Sequence, residues 1–310
     1  MKFTAFLVRR VLITVPAVLA VIVITFAMIR LVPGDPVQVI AGDNLDPQAL
    51  EQLRVQLGLD RPLIVQFWNY LWSVLHGDLG MSYLSHQRVG QIISQRLPYT
   101  LMLAGAGVAV GLILSVPIGV GAALWQARRD TSSMGFTVVT TLFAALPDFL
   151  LGTLLVTVFA VWWRVLPVAH ADSWKSIVLP ALSLGIPLAG VQARVIRASV
   201  AHELTQPYAR TMLAAGVARP KMVLRNVLPN ASIPAITLLG VEFGRLLAGA
   251  LVVENIFAWP GLGTTIFQSI SQRDLPAVQG QILVVALIIL GINLVVDVIY
   301  RLVDPRIGLT

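Results

Sequence analysis

Six runs of this chain stay apolar over lengths that few water-soluble cores use: Val11 to Ile29, Tyr99 to Trp125, Met134 to Trp163, Ile177 to Ala193, Ser232 to Val253 and Gln281 to Tyr300. A helix that crosses a bilayer needs about 20 predominantly apolar residues, and each run approaches that length. Lipid offers the backbone no hydrogen-bond partner, so a spanning segment must satisfy itself as a helix or close into a barrel. The runs are far longer than barrel strands of about 10 residues, so the expected fold class is an all-α membrane protein with six transmembrane helices. Composition agrees: the chain is 57% hydrophobic and 12% charged with a mean hydropathy of +0.83, against about 45–50% and about 25% in soluble domains. The fourth run is short, and its helix is expected to continue past Arg194. The third is long and carries Pro147 near its middle, which predicts a tilt or a break there.

The net charge of +7 is not spread like a nucleic-acid footprint, because the basic residues gather beside the ends of the apolar runs. With the N-terminus inside, the inner side holds thirteen lysines and arginines and the short outer loops hold three, Arg164, Lys175 and Arg273. The excess predicts both termini in the cytoplasm of a multi-pass membrane protein. The first run is longer than a signal-peptide core and lacks a small-x-small cleavage site, so it reads as an uncleaved anchor. Absence of cysteine removes disulfides, thiol nucleophiles and cysteine metal sites.

Three regions follow: residues 1–30, a tail and the first helix; 31–98, an extracytoplasmic helical segment; and 99–310, a five-helix core that includes a cytoplasmic loop over 194–231. In the outer segment Asp46 is placed to N-cap a helix that starts at Pro47 and lines up Leu50, Leu53 and Leu57. A second helix beginning near Asp60 and Pro62 carries Phe67, Trp68, Tyr70, Leu71 and Trp72, residues suited to a membrane interface. A cap on the bundle and a docking surface for an external partner fit this segment equally.

The stretch "YARTMLAAGVARPKMVLRNVLPNASIP", residues 208–234, is too polar to span and too apolar for a solvated linker. Pro207 starts a helix, and Gly216 suits a left-handed stop. Tyr208, Thr211, Met212 and Ala215 fall on one face. Pro220 starts a second helix, and Pro229 is expected to stop it. Such a helix, turn, helix can enter a partner's groove or rest on lipid headgroups.

The stretch resembles the cytoplasmic "EAA" loop of binding-protein-dependent ABC importer permeases. Gly216 takes the loop's glycine place, and Leu228 and Pro229 take its L-P places, whereas Arg210, Thr211 and Met212 stand where E-A-A would be. Tyr208, Arg210 and Thr211 match the "YxRT" opening of the peptide and nickel branch. "RRVLITVP", "VPGDPV", "LGLDRPLIVQFWNYL", "HGDLGMSY", "LPALSLG", "ARVIRAS", "VVENIFAWPGLG", "RDLPAVQGQILVV" and "NLVVDVIYRLVDPRI" extend the resemblance over the whole chain, to the first permease subunit of dipeptide, oligopeptide, glutathione and nickel importers. The resemblance implies a type I importer permease fold with six spans. It also implies a second homologous permease, two ATP-binding subunits that hold ATP and Mg, and an extracytoplasmic substrate-binding protein. It implies alternating access driven through the loop, with Gly216 making the turn, Tyr208 and Met212 as knobs buried at the contact, Arg210 as a charge contact, and Leu228 and Pro229 transmitting force. Independently, the only lysines are Lys2, Lys175 and Lys221, none preceded by glycine, so the chain has no P-loop, no ATPase site and no cofactor site of its own.

Ionisable residues inside a span are functional candidates. Asp148 follows Pro147 and can N-cap the half-helix restarting at Phe149 or contact substrate. Glu242 and Arg245, three apart, can pair with each other or line the path. Glu254 opens "ENIFAWPGLG", where a turn at Pro260 and Gly261 is expected; the resemblance adds a gate or a binding-protein contact. Asp297 and Asp304 can pair with Arg301 and Arg306. The histidines have no i, i+4 pairing, so no metal site is expected. A proton-coupled secondary transporter would use Asp148 and Glu242 without a docked loop; a channel would need a filter that the sequence does not show. Peptide-like substrates are the leading expectation, with nickel or a nickel chelate as the alternative.

Overall fold

The computed structural model describes residues 3–31, 37, 47–56, 58–129, 134–168, 171 and 173–303. Among them helices are the only regular elements, apart from one isolated antiparallel bridge between Met81 and Arg88. They are α1 (Phe3–Leu31), α2 (Pro47–Gln56), α3 (Leu63–Leu75), α4 (Val89–Arg129), α5 (Met134–Ala145), α6 (Asp148–Leu155), α7 (Val178–Thr205), α8 (Pro207–Ala214), α9 (Arg219–Met222), α10 (Leu228–Ile256), α11 (Leu262–Ser271) and α12 (Leu275–Val303). A wide π turn, Val156–Trp162, prolongs α6; another, Val223–Val227, joins α9 to α10; and a 3₁₀ turn, Trp174–Ile177, precedes α7.

Among the described residues four helical stretches are long and apolar enough to cross a membrane: Val89–Ala127, Trp174–Thr205, Arg219–Ile256 and Leu275–Val298. A fifth arises if α5 and α6 are one broken span, since they meet at 91° around Pro147. Leu12–Met28, inside α1, is a shorter apolar stretch. The predicted break at Pro147 is therefore present, and α7 runs on past Arg194 to Thr205 as expected. Pro229 does not stop its helix: the chain continues from Arg219 to Ile256. The π turn explains this, because Leu228 N bonds Val223 O, five residues back, and Pro229 falls in the first turn of α10, where no N–H is required.

The chain forms two compact units. One comprises the described residues within 99–260 and 295–303. Its centre is α7, which packs against α5, α6 and α10 and has 72% of its apolar window buried, against 28% for Val89–Ala127 and for Arg219–Ile256. Leu179, Leu184, Leu188, Leu246, Val253 and Phe257 fill its larger core. Glycine lets α4 and α7 approach closely: a Cβ on Gly185 would lie 2.5 Å from Val110 Cγ1 and 2.8 Å from Gly107 O, the small-residue contact that lipid-embedded helices use. Gln192, fully buried in α7, reaches α10, its amide set to donate to Ala235 O and accept from Leu239 N.

The second unit comprises the described residues within 3–98 and 261–294. Phe26 of α1 packs edge-on against Phe67 and stacked on Tyr70, with ring centroids at 5.1 and 5.8 Å. Trp68 and Trp72 face outward from α3. Pro47 begins α2 as expected; Asp46 and Leu57 lie outside the described residues. Asp274, buried, organises the unit: Oδ2 accepts from Ser82 Oγ at 2.5 Å, and Oδ1 accepts from Tyr83 N at 3.2 Å and from Ala277 N at 3.5 Å. It thereby caps α12 and secures the 78–88 loop.

Candidate functional site

Two constellations in the first unit bring candidate residues together. One is the turn between α8 and α9. Pro207 stands in the first turn of α8, and Gly216 adopts φ +79°. The turn closes through Gly216 N to Leu213 O and Val217 N to Met212 O, each 3.0 Å, a left-handed helix stop of the kind expected. The chain then reverses into α9, whose Met222 is fully buried with Ala209, Val223 and Val227.

This packing redistributes the expected contact residues. Tyr208 and Met212 are half-buried against their own chain's cluster, and the Tyr208 hydroxyl donates to Glu203 Oε2 at 2.6 Å. Arg210, Thr211, Leu213, Ala214, Ala215, Leu224 and Arg225 form the exposed side. The Thr211 hydroxyl donates back to Pro207 O at 3.1 Å. Leu213 and Leu224 expose 41% and 67% of their surface, the largest apolar groups on that side. A cleft of about 450 Å³ opens between the arms, lined by Met212, Val217, Lys221, Arg225 and Asn226. Leu228 and Pro229 begin α10, the helix that leads away from the turn. Periodicity cannot tell a face that packs inward from one that receives a partner: Tyr208 and Met212, expected as knobs at a partner contact, are half-buried against their own chain's cluster, and Met212 also lines the cleft.

The second constellation lies at the helix break. Asp148 is the first residue of α6, Pro147 holds the cap position, and no side-chain cap bond forms. The carboxylate turns to α10 instead, where Arg245 Nη1 lies 3.5 Å from Asp148 Oδ2. Arg245 Nε donates to Glu242 Oε2 at 2.6 Å, so the expected intrahelical pair exists and has gained a third member. Gly249 faces the same carboxylate. A capping role for Asp148 is therefore not observed: an aspartate at the first helical position has its Cβ already committed to the helix surface.

Glu254 is fully buried near the end of α10. Its carbonyl accepts from Trp259 N at 2.8 Å, while Trp259 Nε1 donates to Tyr99 O at 3.0 Å. The turn in this segment falls at Phe257 and Ala258, the latter at φ +46°, with only a bend at Pro260 and Gly261, because burying Phe257 and Trp259 sets the path. Asp304 and Arg306 lie outside the described residues. Among the described residues no three histidine, aspartate or glutamate side chains converge as metal ligands.

Residues 115–309 match the family model described as binding-protein-dependent transport system inner membrane component, and residues 3–104 match the N-terminal model of the same component. The chain belongs to this family. It is the inner-membrane permease of a binding-protein-dependent ABC importer, a transporter subunit rather than a catalytic enzyme. It is similar over nearly its whole length to the glutathione transport system permease protein GsiC of Salmonella typhimurium, 41% identical over 302 residues that cover 97% of this chain and 98% of the relative. The proteins of that name from Escherichia coli strain K12 and E. coli O6:H1 are 41% and 42% identical over 303 residues, with the same coverage. Family membership rules out the stand-alone secondary transporter and the channel. The folded turn and the charged cluster are thus features of an importer permease.

Proposed function

We propose that the chain is the first permease subunit of an importer for peptide-like substrates, glutathione or short peptides, which it passes into the cytoplasm by alternating access. The observation that carries this reading is the end-to-end similarity to permeases named for glutathione transport, which favours the peptide branch over nickel. In this reading α1, α4, the broken α5 and α6 pair, α7, α10 and α12 are six spans with both termini inside. Residues 31–98 lie on the outer face, and ATP and Mg bind to two partner ATPases. A second permease and an external binding protein complete the complex.

The turn at Gly216 is the element on which an ATPase acts. Its exposed side, Arg210, Thr211, Leu213, Ala215 and Leu224, meets the partner, and Tyr208, Met212 and Met222 anchor it to the core. Because α9, the π turn and α10 form one uninterrupted helix, a push on the turn reaches the spans without passing through a flexible joint. Leu228 and Pro229 stand where that helix leaves the cluster.

The test is co-purification at native expression level followed by reconstitution of what is recovered. Recovery of a second permease, ATPases and a binding protein, with ATP-dependent glutathione or dipeptide uptake by the reconstituted set, is the expected result. Uptake of nickel and not of peptides would overturn the substrate, and ATP-independent uptake by this chain alone would overturn the mechanism.

A further inference from the structure

We propose that Asp148, Glu242 and Arg245 form a binding subsite for a primary ammonium group, supplied by the free amino terminus of the substrate. The inference rests on the peptide-like substrate reading and adds to it the chemistry that the permease itself recognises.

The cluster holds two carboxylates and one guanidinium, a formal excess of one negative charge. Arg245 is committed to Glu242 at 2.6 Å and reaches Asp148 only at 3.5 Å. Asp148 Oδ1 is buried and accepts no hydrogen bond from any described residue. A buried carboxylate oxygen without a donor is costly, and such an atom in a native fold marks a place where a donor arrives.

The cluster also sits at the 91° break between α5 and α6, and broken helices at membrane depth form substrate sites in transporters of other folds. Gly249 lets the Asp148 carboxylate lie close against α10, since a methyl group there would come within 2.6 Å of Asp148 Oδ2. Side-chain exposure rises from 13% at Asp148 and 15% at Glu242 to 45% at Arg245, so the cluster opens outward past the guanidinium. A charge turned to lipid would be expensive, which leaves a polar path or a partner face beyond that opening.

An ammonium group is a compact single positive charge with three donors, which matches one excess negative charge and one oxygen without a donor. A divalent metal would want about six oxygen ligands, and one of these two carboxylates already binds Arg245.

The experiment uses the complete importer in proteoliposomes, with glutathione and N-acetylglutathione as probes and Asp148→Asn and Asp148→Glu as variants. Expected is glutathione uptake per ATP hydrolysed about tenfold lower in Asp148→Asn, the equivalent of one charge-assisted hydrogen bond. Asp148→Glu should retain most of the uptake, and ATP hydrolysis stimulated by the binding protein should stay near the wild-type rate in both. Wild-type uptake of N-acetylglutathione as fast as glutathione would overturn the subsite, and so would undiminished uptake by Asp148→Asn. A parallel loss of stimulated ATP hydrolysis in both variants would assign Asp148 a structural role and overturn it as well. Failure of the wild-type importer to carry glutathione would instead sink the glutathione reading; the same variants would then be compared with a dipeptide and its N-acetyl form.

Discussion

The Tyr208 phenol and the Glu203 carboxylate, 2.6 Å apart, tie the first turn of α8 to the last turn of α7. Burial first, and then the bond to Glu203, push the phenol above its ordinary value of 10.0. Its proton is therefore held more tightly in the folded chain than in the unfolded one. The resulting stabilisation is present in full below pH 10 and is lost as pH rises through the raised value. Thermal unfolding of the purified complex, wild type against Tyr208→Phe, should show a difference that is constant from about pH 7 to 9 and falls at higher pH. A difference that stays flat up to about pH 11 would remove Tyr208 from the pH response.

Gly216 tests the turn. It adopts φ +79°, and a Cβ there would meet open space, with no atom within 4 Å. Gly216→Ala therefore suffers backbone strain alone, about 1–2 kcal/mol. Asparagine tolerates this conformation better, so Gly216→Asn should recover part of the loss. Denaturation midpoints ordered Gly, Asn, Ala are expected; a clash-dominated site would instead rank Asn lowest.

Leu224 and Leu213 test the docking side. Leu224→Asp changes an exposed residue, so folding and membrane insertion should be near normal while ATPase recovery on affinity purification drops. Met222→Asp places a charge in the buried cluster and should reduce the amount of folded permease itself. Equal ATPase recovery with Leu224→Asp and wild type would move the docking side elsewhere.

Gly185 tests the close approach of α4 and α7. Alanine there would press on Val110 and on the Gly107 carbonyl, and overpacking of this kind costs about 1–3 kcal/mol. Gly105, on the same helix as Gly107 with open space around it, provides the control: Gly105→Ala should leave the melting temperature unchanged or raise it.

Asp274 joins three donors that no local pattern connects. Asp274→Ala leaves the Ser82 hydroxyl and two backbone N–H groups without their acceptor, at about 1–3 kcal/mol for each donor left buried. Hydrogen exchange should quicken at Tyr83 and Ala277 together. Faster exchange at Ala277 alone would reduce Asp274 to a helix cap.

Much of this protein is legible along the chain. Long apolar runs demand helices because lipid leaves backbone groups no other partner, and Pro147, Pro207 and Gly216 mark a break, a start and a stop through their own dihedral limits. The Glu242 and Arg245 pair follows from helical spacing. Each of these depends on residues within a few positions of one another. Tertiary packing alone decided the rest. It packed Tyr208 and Met212 in part against their own chain's cluster, carried the helix through Pro229 by a π turn, and brought Asp148 of α6 to Arg245 of α10, 97 residues away. It also joined Ser82 to Asp274 across 192 residues. A hydrophobic period shows that a face is buried without naming what buries it, and a carboxylate's partner is chosen by whichever helix arrives opposite it.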